Sequence, residues 1–454
     1  MAPDSSDPAR PDVVESPIDR ALSHLIGGDG EAALRWAAAV MRADPARAVG
    51  LLLTGQALAA LSRRDLALDV LRMAFDQSLA QGSLPVAIVG CRELEALGED
   101  ASAELEQLAK VFAKGSDRLT ETGVQPPAMA PLESEFRPLA DALAGDALLE
   151  EVALLVQEAR ETLAAAKPKR GSENPVAPQH LFSSLDRAGL RAMLDIFQVL
   201  RVSAGEVLVH EGATGAEAYV LARGELEVRR AGSGSEAAHV YLARLGAGAL
   251  FGEMALLSRS PRAASVVALR PSLVLVAHKR DLDRIAETEP QLAAEVAAHC
   301  RRRMVENLVR TSAILSAIRP SERPTLIERF VTRAFETGDV LIAQGQESDG
   351  LYLIASGEVD VVHRVDDDST HIARLGVGEV VGEVALVLRR PATATVTAAM
   401  PTVTLHLMRD RFLELIKQHP ALLAQLYELA VKREEETSSI VAQEAMDAEE
   451  LIII

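Results

Sequence analysis

The chain has 454 residues, 48% hydrophobic and 25% charged, enough for packed cores in about two to four domains and too apolar for a disordered chain. A formal net charge of −19 excludes a general polyanion binder, and 3% aromatics exclude a base-stacking platform for single-stranded nucleic acid. Two distant cysteines, Cys91 and Cys300, offer neither a disulfide framework nor a thiolate zinc site. The first residues, MAPDSSDPARPDVVESP, hold no apolar leader, and no stretch reaches the roughly 18 apolar residues of a membrane helix. The expectation is a cytoplasmic protein without a membrane span.

Residues 1–13 are expected to be disordered, and 14–166 to form a helical domain rich in Ala and Leu. Ala33, Ala67 and Ala101 recur every 34 residues. Four residues after each stand Ala37, Leu71 and Leu105, and seven after each stand Val40, Ala74 and Leu108. Small residues at one position let paired helices approach, and the later apolar positions fill the seam. Pro45 follows the expected end of a second helix, and Gly55 lies twelve before Ala67. The spacing resembles the tetratricopeptide pattern in three units, 14–47, 48–81 and 82–115, with its aromatic positions mostly unfilled; an ordinary Ala-rich bundle is the alternative. Stacked helix pairs present a concave surface, so a protein partner is expected for this domain. Residues 116–138 carry four prolines and read as a loop, 139–166 return to helical spacing, and 167–179 are a Pro-containing linker.

From 180 onward short apolar runs alternate with Gly turns, the pattern of antiparallel strands in a jelly roll. The block is written twice. Gly205, Gly212, Tyr219, Gly224 and Glu225 return 133 residues later as Gly338, Gly345, Tyr352, Gly357 and Glu358. Gly246, Gly248, Gly252, Glu253 and Pro261 return 130 residues later as Gly376, Gly378, Gly382, Glu383 and Pro391. A deletion of three residues in a hairpin around GSGSEA (232–237) explains the change of offset. Helices are expected at 181–197 and 279–318 around the first block, and at 322–330 and 409–436 around the second. The fold class is thus multidomain α+β: a helical domain (14–166), a linker (167–179), a first barrel (180–318), a second barrel (319–436) and an acidic tail with an apolar tip (437–454).

The chemistry concentrates in LFGEMALLSRSPRAASVVA, 250–268. Gly252 lets backbone approach a ligand, and Glu253 to Leu257 suffice for one helical turn whose N–H groups face an anion. Arg262 supplies a guanidinium fork suited to phosphate. Glu253 is a poor phosphate ligand and a good acceptor for a hydroxyl. One cation and one carboxylate nine residues apart read as a cyclic phosphate plus a free 2′-hydroxyl.

This segment closely resembles the phosphate-binding cassette of cyclic nucleotide-binding domains, the family of the bacterial catabolite activator and of protein kinase A regulatory subunits. The resemblance covers about 180–436, both copies. It implies that Glu253 holds ribose, Arg262 holds the exocyclic phosphate oxygens, and backbone N–H groups of Ala255 and Ala263 complete a cradle that includes Gly252, Met254 and Ala264. A Thr after the cassette Arg favours cGMP in the family; Ala263 stands here, so cAMP is the expected ligand.

The second cassette, VVGEVALVLRRPATATVTA (380–398), keeps Gly382, Glu383, Val384 and Ala385 but has Ala392 and Thr393 where the first has Arg262 and Ala263. Loss of a charge-assisted contact of about 1.5–3 kcal/mol weakens binding roughly ten- to a hundredfold. The expectation is a competent first pocket and a degenerate second one, unless Arg389 or Arg390 reaches in. Tyr427 is a candidate to stack on a purine or to pack on its own barrel. Arg301, Arg302 and Arg303 are read as a solvated basic face.

The acidic tail is no DNA-reading helix-turn-helix, and no catalytic or P-loop signature is present, so neither DNA binding nor an enzyme is expected. The first reading is a cAMP-sensing adaptor that relays ligand binding to a protein partner. The alternative is a regulatory subunit of a cyclic-nucleotide-dependent kinase, to which Lys169-Arg170-Gly171-Ser172 adds a basophilic motif, with Glu173 departing from it. A scaffold with no ligand is a third. A homodimer is left open, and the Ala, Leu, Arg and Val bias suggests a bacterium of high GC content.

Overall fold

Ser16 starts the first helix by a reciprocal cap: its hydroxyl accepts from Asp19 N–H while Asp19 accepts from Ser16 N–H, both at 3.1 Å, with Pro17 in the first turn. The computed structural model describes residues 15–120, 139, 143–165, 175–179, 181–231, 239–253, 261–311, 319, 329–365 and 368–452. By its contacts the chain divides into two units.

The first unit holds the helical region and the strands of the first barrel. Helices α1 (Pro17–Ile26), α2 (Gly30–Ala43), α3 (Ala48–Ala60), α4 (Arg64–Ala80), α5 (Leu84–Ala96) and α6 (Ser102–Phe112) follow one another with short turns. Ala33, Ala67 and Ala101 are all buried, so the 34-residue spacing does mark helix contacts. At Gly55 on α3 an added Cβ would lie 2.7 Å from the Leu71 side chain on α4; only glycine allows that approach. Helix α7 (Gly145–Ala165) packs on α2 and α4 through Leu148, Val152, Leu155, Val156 and Ala159, one stripe at helical spacing. Helix α8 (Arg187–Asp195), capped by Asp186, packs on α6.

Eight strands follow: β1 (Gln198–Val202), β2 (Val207–Val209), β3 (Glu217–Arg223), β4 (Leu226–Ala231), β5 (His239–Leu245), β6 (Leu250–Phe251), β7 (Ser265–Ala268) and β8 (Ser272–His278). They form two antiparallel sheets, β1-β8-β3-β6 and β2-β7-β4-β5, over a core that includes Val202, Leu221, Leu226, Phe251 and Val274. Helix α5 sits against β1 and β3. Part of the helical surface expected to receive a partner is therefore taken by the chain's own barrel. The seam is charged: Asp19, 1% exposed, lies 3.0 Å from Arg223 and 2.7 Å from Arg270, and Glu93 lies 2.6 Å from Arg201.

The second unit holds 211–216, 253–263 and everything from 296 onward. Its strands β9 (Val331–Phe335), β10 (Val340–Ile342), β11 (Gly350–Ser356), β12 (Val359–Val365), β13 (Asp368–Leu375), β14 (Val380–Val381), β15 (Thr395–Ala398) and β16 (Thr402–Met408) repeat the first barrel's order, as sheets β14-β11-β16-β9 and β10-β15-β12-β13. The first barrel is followed by α9 (Lys279–Thr288) and α10 (Pro290–Thr311). Helix α11 (Glu383–Leu388) forms the second cassette turn, and α12 (Arg409–Gln418) and α13 (Pro420–Ile452) follow the second barrel. Met304 and Leu308 of α10, Phe412 of α12 and Leu426 of α13 share one core with Leu353 and Leu405.

The offset changes between β4/β12 and β5/β13, at the hairpin where the deletion is expected. Two expectations are corrected. Helix α13 runs on to Ile452, so 437–452 continue a helix where a separate tail is expected. Within the linker, Val176 is 2% exposed and bridges to Leu119, because its side chain packs at Gly82. The expected disordered start, most of the 116–138 loop, the 169–173 motif and the GSGSEA tip lie outside the described residues.

Candidate ligand pockets

Both cassettes begin at a glycine in the left-handed region, Gly252 at φ 73° and Gly382 at φ 92°. An added Cβ on Gly382 would stand 2.6 Å from the Gly350 carbonyl oxygen, so the turn excludes any side chain. Next in each stands a buried carboxylate, Glu253 at 5% and Glu383 at 1% exposure. In the first copy residues 254–260, including Met254 and Ala255, lie outside the described residues. In the second copy Val384 and Ala385 belong to α11, the helical turn expected of this segment.

The arginine position is built by the same backbone twice. Gly212 N–H donates to the Arg262 carbonyl at 2.8 Å, and Arg262 N–H donates to that of Ala213 at 2.9 Å. Gly345 N–H donates to the Ala392 carbonyl at 2.8 Å, and Ala392 N–H to that of Gln346 at 2.8 Å. What differs is the side chain and its seat. The Arg262 guanidinium lies over Gly215, where a Cβ would come within 2.5 Å of Nη2 and 2.6 Å of Nε. The residue 133 positions later is Ser348, which is 3% exposed and donates its hydroxyl to the Gly350 carbonyl at 2.7 Å. Arginine and the glycine beneath it are thus both replaced in the second copy. Ala392 is 9% exposed and packs in the apolar core with Ile342 and Val381. Ala263 is exposed and Ala264 half-buried beside Arg262.

The carboxylates meet cations from the helix after each barrel. Arg303 on α10 lies 3.8 Å from Glu253. Arg433 on α13 donates to Glu383 at 2.7 Å and to the Val380 carbonyl at 2.6 Å, and lies 3.6 Å from Glu379. Burial pushes the Glu253 carboxyl above its ordinary range, against its own backbone N–H, Arg303 and Arg262. Burial does the same to Glu383, opposed by Arg433. Cys300 donates its thiol to the Glu253 carbonyl at 3.6 Å, and burial pushes that thiol up to about 12.

The second barrel encloses a cavity of about 350 Å³. Ile342, Val361, Leu375 and Val396 line it from the strands, and Gly382, Glu383, Val384, Ala385, Ala392 and Thr393 from the cassette. Lys432, Arg433, Glu436 and Thr437 line it from α13. Arg389 caps α11 and Arg390 pairs with Glu434; neither lines the cavity. Tyr427 is 53% exposed, neither stacked in the pocket nor packed on its barrel. No acidic, His or Cys cluster able to hold a metal occurs among the described residues, and no helix there is long and apolar enough to cross a membrane.

Sequence reasoning missed Gly215 and Arg433. The signal for Arg433 was present: Arg303 and Arg433 stand 130 apart, the same offset as Glu253 and Glu383.

Residues 199–289 and 332–419 match the cyclic nucleotide-binding domain family. The cAMP-dependent protein kinase regulatory subunit of Yarrowia lipolytica is 32% identical over 241 residues, 53% of this chain and 60% of that one. The type II regulatory subunit of Drosophila melanogaster is 32% identical over 225 residues, 50% of this chain and 56% of that one. A solved structure of the regulatory domain of Toxoplasma gondii PKA with cAMP is 24% identical, covering 56% of this chain and 92% of that one at a TM-score of 0.29. The chain thus spans between half and two thirds of the length of the curated relatives it matches. These curated relatives are eukaryotic and give no support to a bacterial source. From its duplicated barrel and two cassettes, this chain carries tandem cyclic nucleotide-binding domains homologous to those of cAMP-dependent protein kinase regulatory subunits.

Proposed function

We propose that the chain is a cyclic-nucleotide-binding regulatory subunit of a cAMP-dependent type of protein kinase, with cAMP bound in the first barrel. The observation that carries the ligand is Arg262 seated over Gly215, nine residues from the buried Glu253. In this reading Arg262 takes the exocyclic phosphate oxygens, Glu253 the ribose hydroxyl, and Gly252, Met254, Ala255, Ala263 and Ala264 shape the cradle. Ala263 offers no hydroxyl to a guanine amino group, which favours cAMP over cGMP by about 1 kcal/mol. The second cassette, Gly382 to Ala385 with Ala392 and Thr393, lacks the phosphate cation.

The kinase reading displaces the adaptor reading because the curated relatives are regulatory subunits. It implies a kinase catalytic chain as partner, a cytoplasmic location and no catalysis by this chain. Domain limits near 180, 318 and 436 belong to the same proposal. Two experiments test it. Calorimetry of the full chain with cAMP and cGMP is expected to show one tight cAMP site, lost in Arg262→Ala; two tight sites, or none, overturn the ligand assignment. Capture with the tagged chain is expected to retain a protein kinase catalytic subunit and to release it on addition of cAMP; retention that ignores cAMP overturns the kinase assignment.

A further inference from the structure

Ala392 explains why the second pocket binds a phosphate weakly, but it leaves Glu383 unexplained. A carboxylate at 1% exposure needs a donor. In a nucleotide-binding pocket that donor is the ligand's hydroxyl; here it is Arg433. Its guanidinium is used up by the protein: one nitrogen serves both Glu383 and the Val380 carbonyl, and the other lies 3.6 Å from Glu379. The three acceptors sit on the strand β14 and its flanks, so the arginine ties α13 to the floor of the pocket. Lys432, Glu436 and Thr437, on the same helix, complete the roof.

We propose that Arg433 is a built-in occupant of the second pocket, holding α13 closed over it without ligand and excluding a cyclic nucleotide by taking the carboxylate that a ribose hydroxyl requires. The inference rests on reading Glu383 as the ribose carboxylate of a nucleotide-type cassette. The two copies then differ in three linked ways. Arginine has become Ala392, its glycine seat has become Ser348, and the helix arginine has closed from 3.8 Å in the first copy to 2.7 Å in the second. Each change alone weakens ligand binding; together they convert a receptor site into a self-filled one.

The test uses the full chain without ligand. Amide hydrogen exchange across 420–443 is compared for the parent, Arg433→Ala and Glu383→Gln. Both substitutions remove the buried pair, and Glu383→Gln does so without leaving an unpaired buried carboxylate. Exchange in α13 is expected to rise by more than about tenfold in both, with β11 and β16 still protected. Unchanged exchange in α13 overturns the proposal, whatever the first pocket binds. If β11 and β16 lose protection in Arg433→Ala, Glu383→Gln decides. The second arm grafts the phosphate site, S348G with A392R, onto a chain whose first pocket is silenced by R262A. Adding R433A to that graft is expected to tighten cAMP binding at least tenfold; equal affinity with and without Arg433 overturns the exclusion. Where neither graft binds, α13 exchange decides the closure alone, and the nucleotide reading of Glu383 is what fails.

Discussion

Gly215→Ala separates ligand recognition from folding more cleanly than any change at Arg262 itself. The glycine is outside the left-handed region, so alanine fits its backbone. The new Cβ would stand 2.5 Å from Arg262 Nη2, 2.6 Å from Nε and 2.9 Å from Cζ, all far inside van der Waals contact. These atoms end a flexible side chain, so the guanidinium swings away and the fold is left within about 0.5 kcal/mol of the parent. Swinging away costs the charge-assisted phosphate contact, about 1.5–3 kcal/mol, or roughly ten- to a hundredfold in Kd. Calorimetry with cAMP reads the loss, and a thermal melt without ligand reads the fold. The double variant with Arg262→Ala should bind no more weakly than Arg262→Ala alone, since both remove one contact. Affinity within twofold of the parent in a folded Gly215→Ala chain would refute the seat, as would fully additive losses in the double variant.

Other outcomes follow from the buried groups. The Glu253 carboxyl is pushed up by burial, so ionising it costs stability above the unfolded value. Stability should fall as pH rises from the ordinary glutamate value of 4.5 through the raised one, and Glu253→Gln should flatten that slope in melts against pH. Asp19→Ala strands Arg223 and Arg270 and removes a helix cap; chemical denaturation should show a loss of about 3 kcal/mol, and a change below 0.5 would mean the seam is solvated. Gly382→Ala forces a Cβ onto the Gly350 carbonyl at φ 92° and should cost about 1–3 kcal/mol or more, read as an earlier melt. Cys91 and Cys300 are both buried, with thiols pushed up to about 12, so iodoacetamide at neutral pH should label neither until denaturant is added.

Much of this was legible in the residues. The matched glycines give the duplicated strands because positive φ leaves little choice of residue, and all the matched pairs but Gly246 and Gly376 have it. Glu253 and Arg262 were legible because a carboxylate and a guanidinium at that spacing have few other uses. Gly215 was not, since a glycine that seats a side chain looks like one that makes a turn. Arg433 was hidden in the run of charges KREEE on an amphipathic helix, where the usual meaning is a solvated face. Its ion pair depends on how a distant helix lies, which periodicity does not encode. The continuation of α13 was hidden for the converse reason: a run of acidic residues reads as a tail, and a helix tolerates it equally well.

The clasp at Asp19 has a consequence for anyone trimming this chain. Its partners lie 204 and 251 residues downstream, on the rim of a β-sheet, so the first turn of the first helix is sewn to a structure assembled much later in synthesis. A fragment beginning near residue 180 would inherit Arg223 and Arg270 with Glu225 as remaining acidic neighbour to Arg270, and would bare the sheet face that α5 now shields. Such a fragment is a new protein with a sticky, cationic flank, and affinities measured on it would describe that flank as much as the receptor.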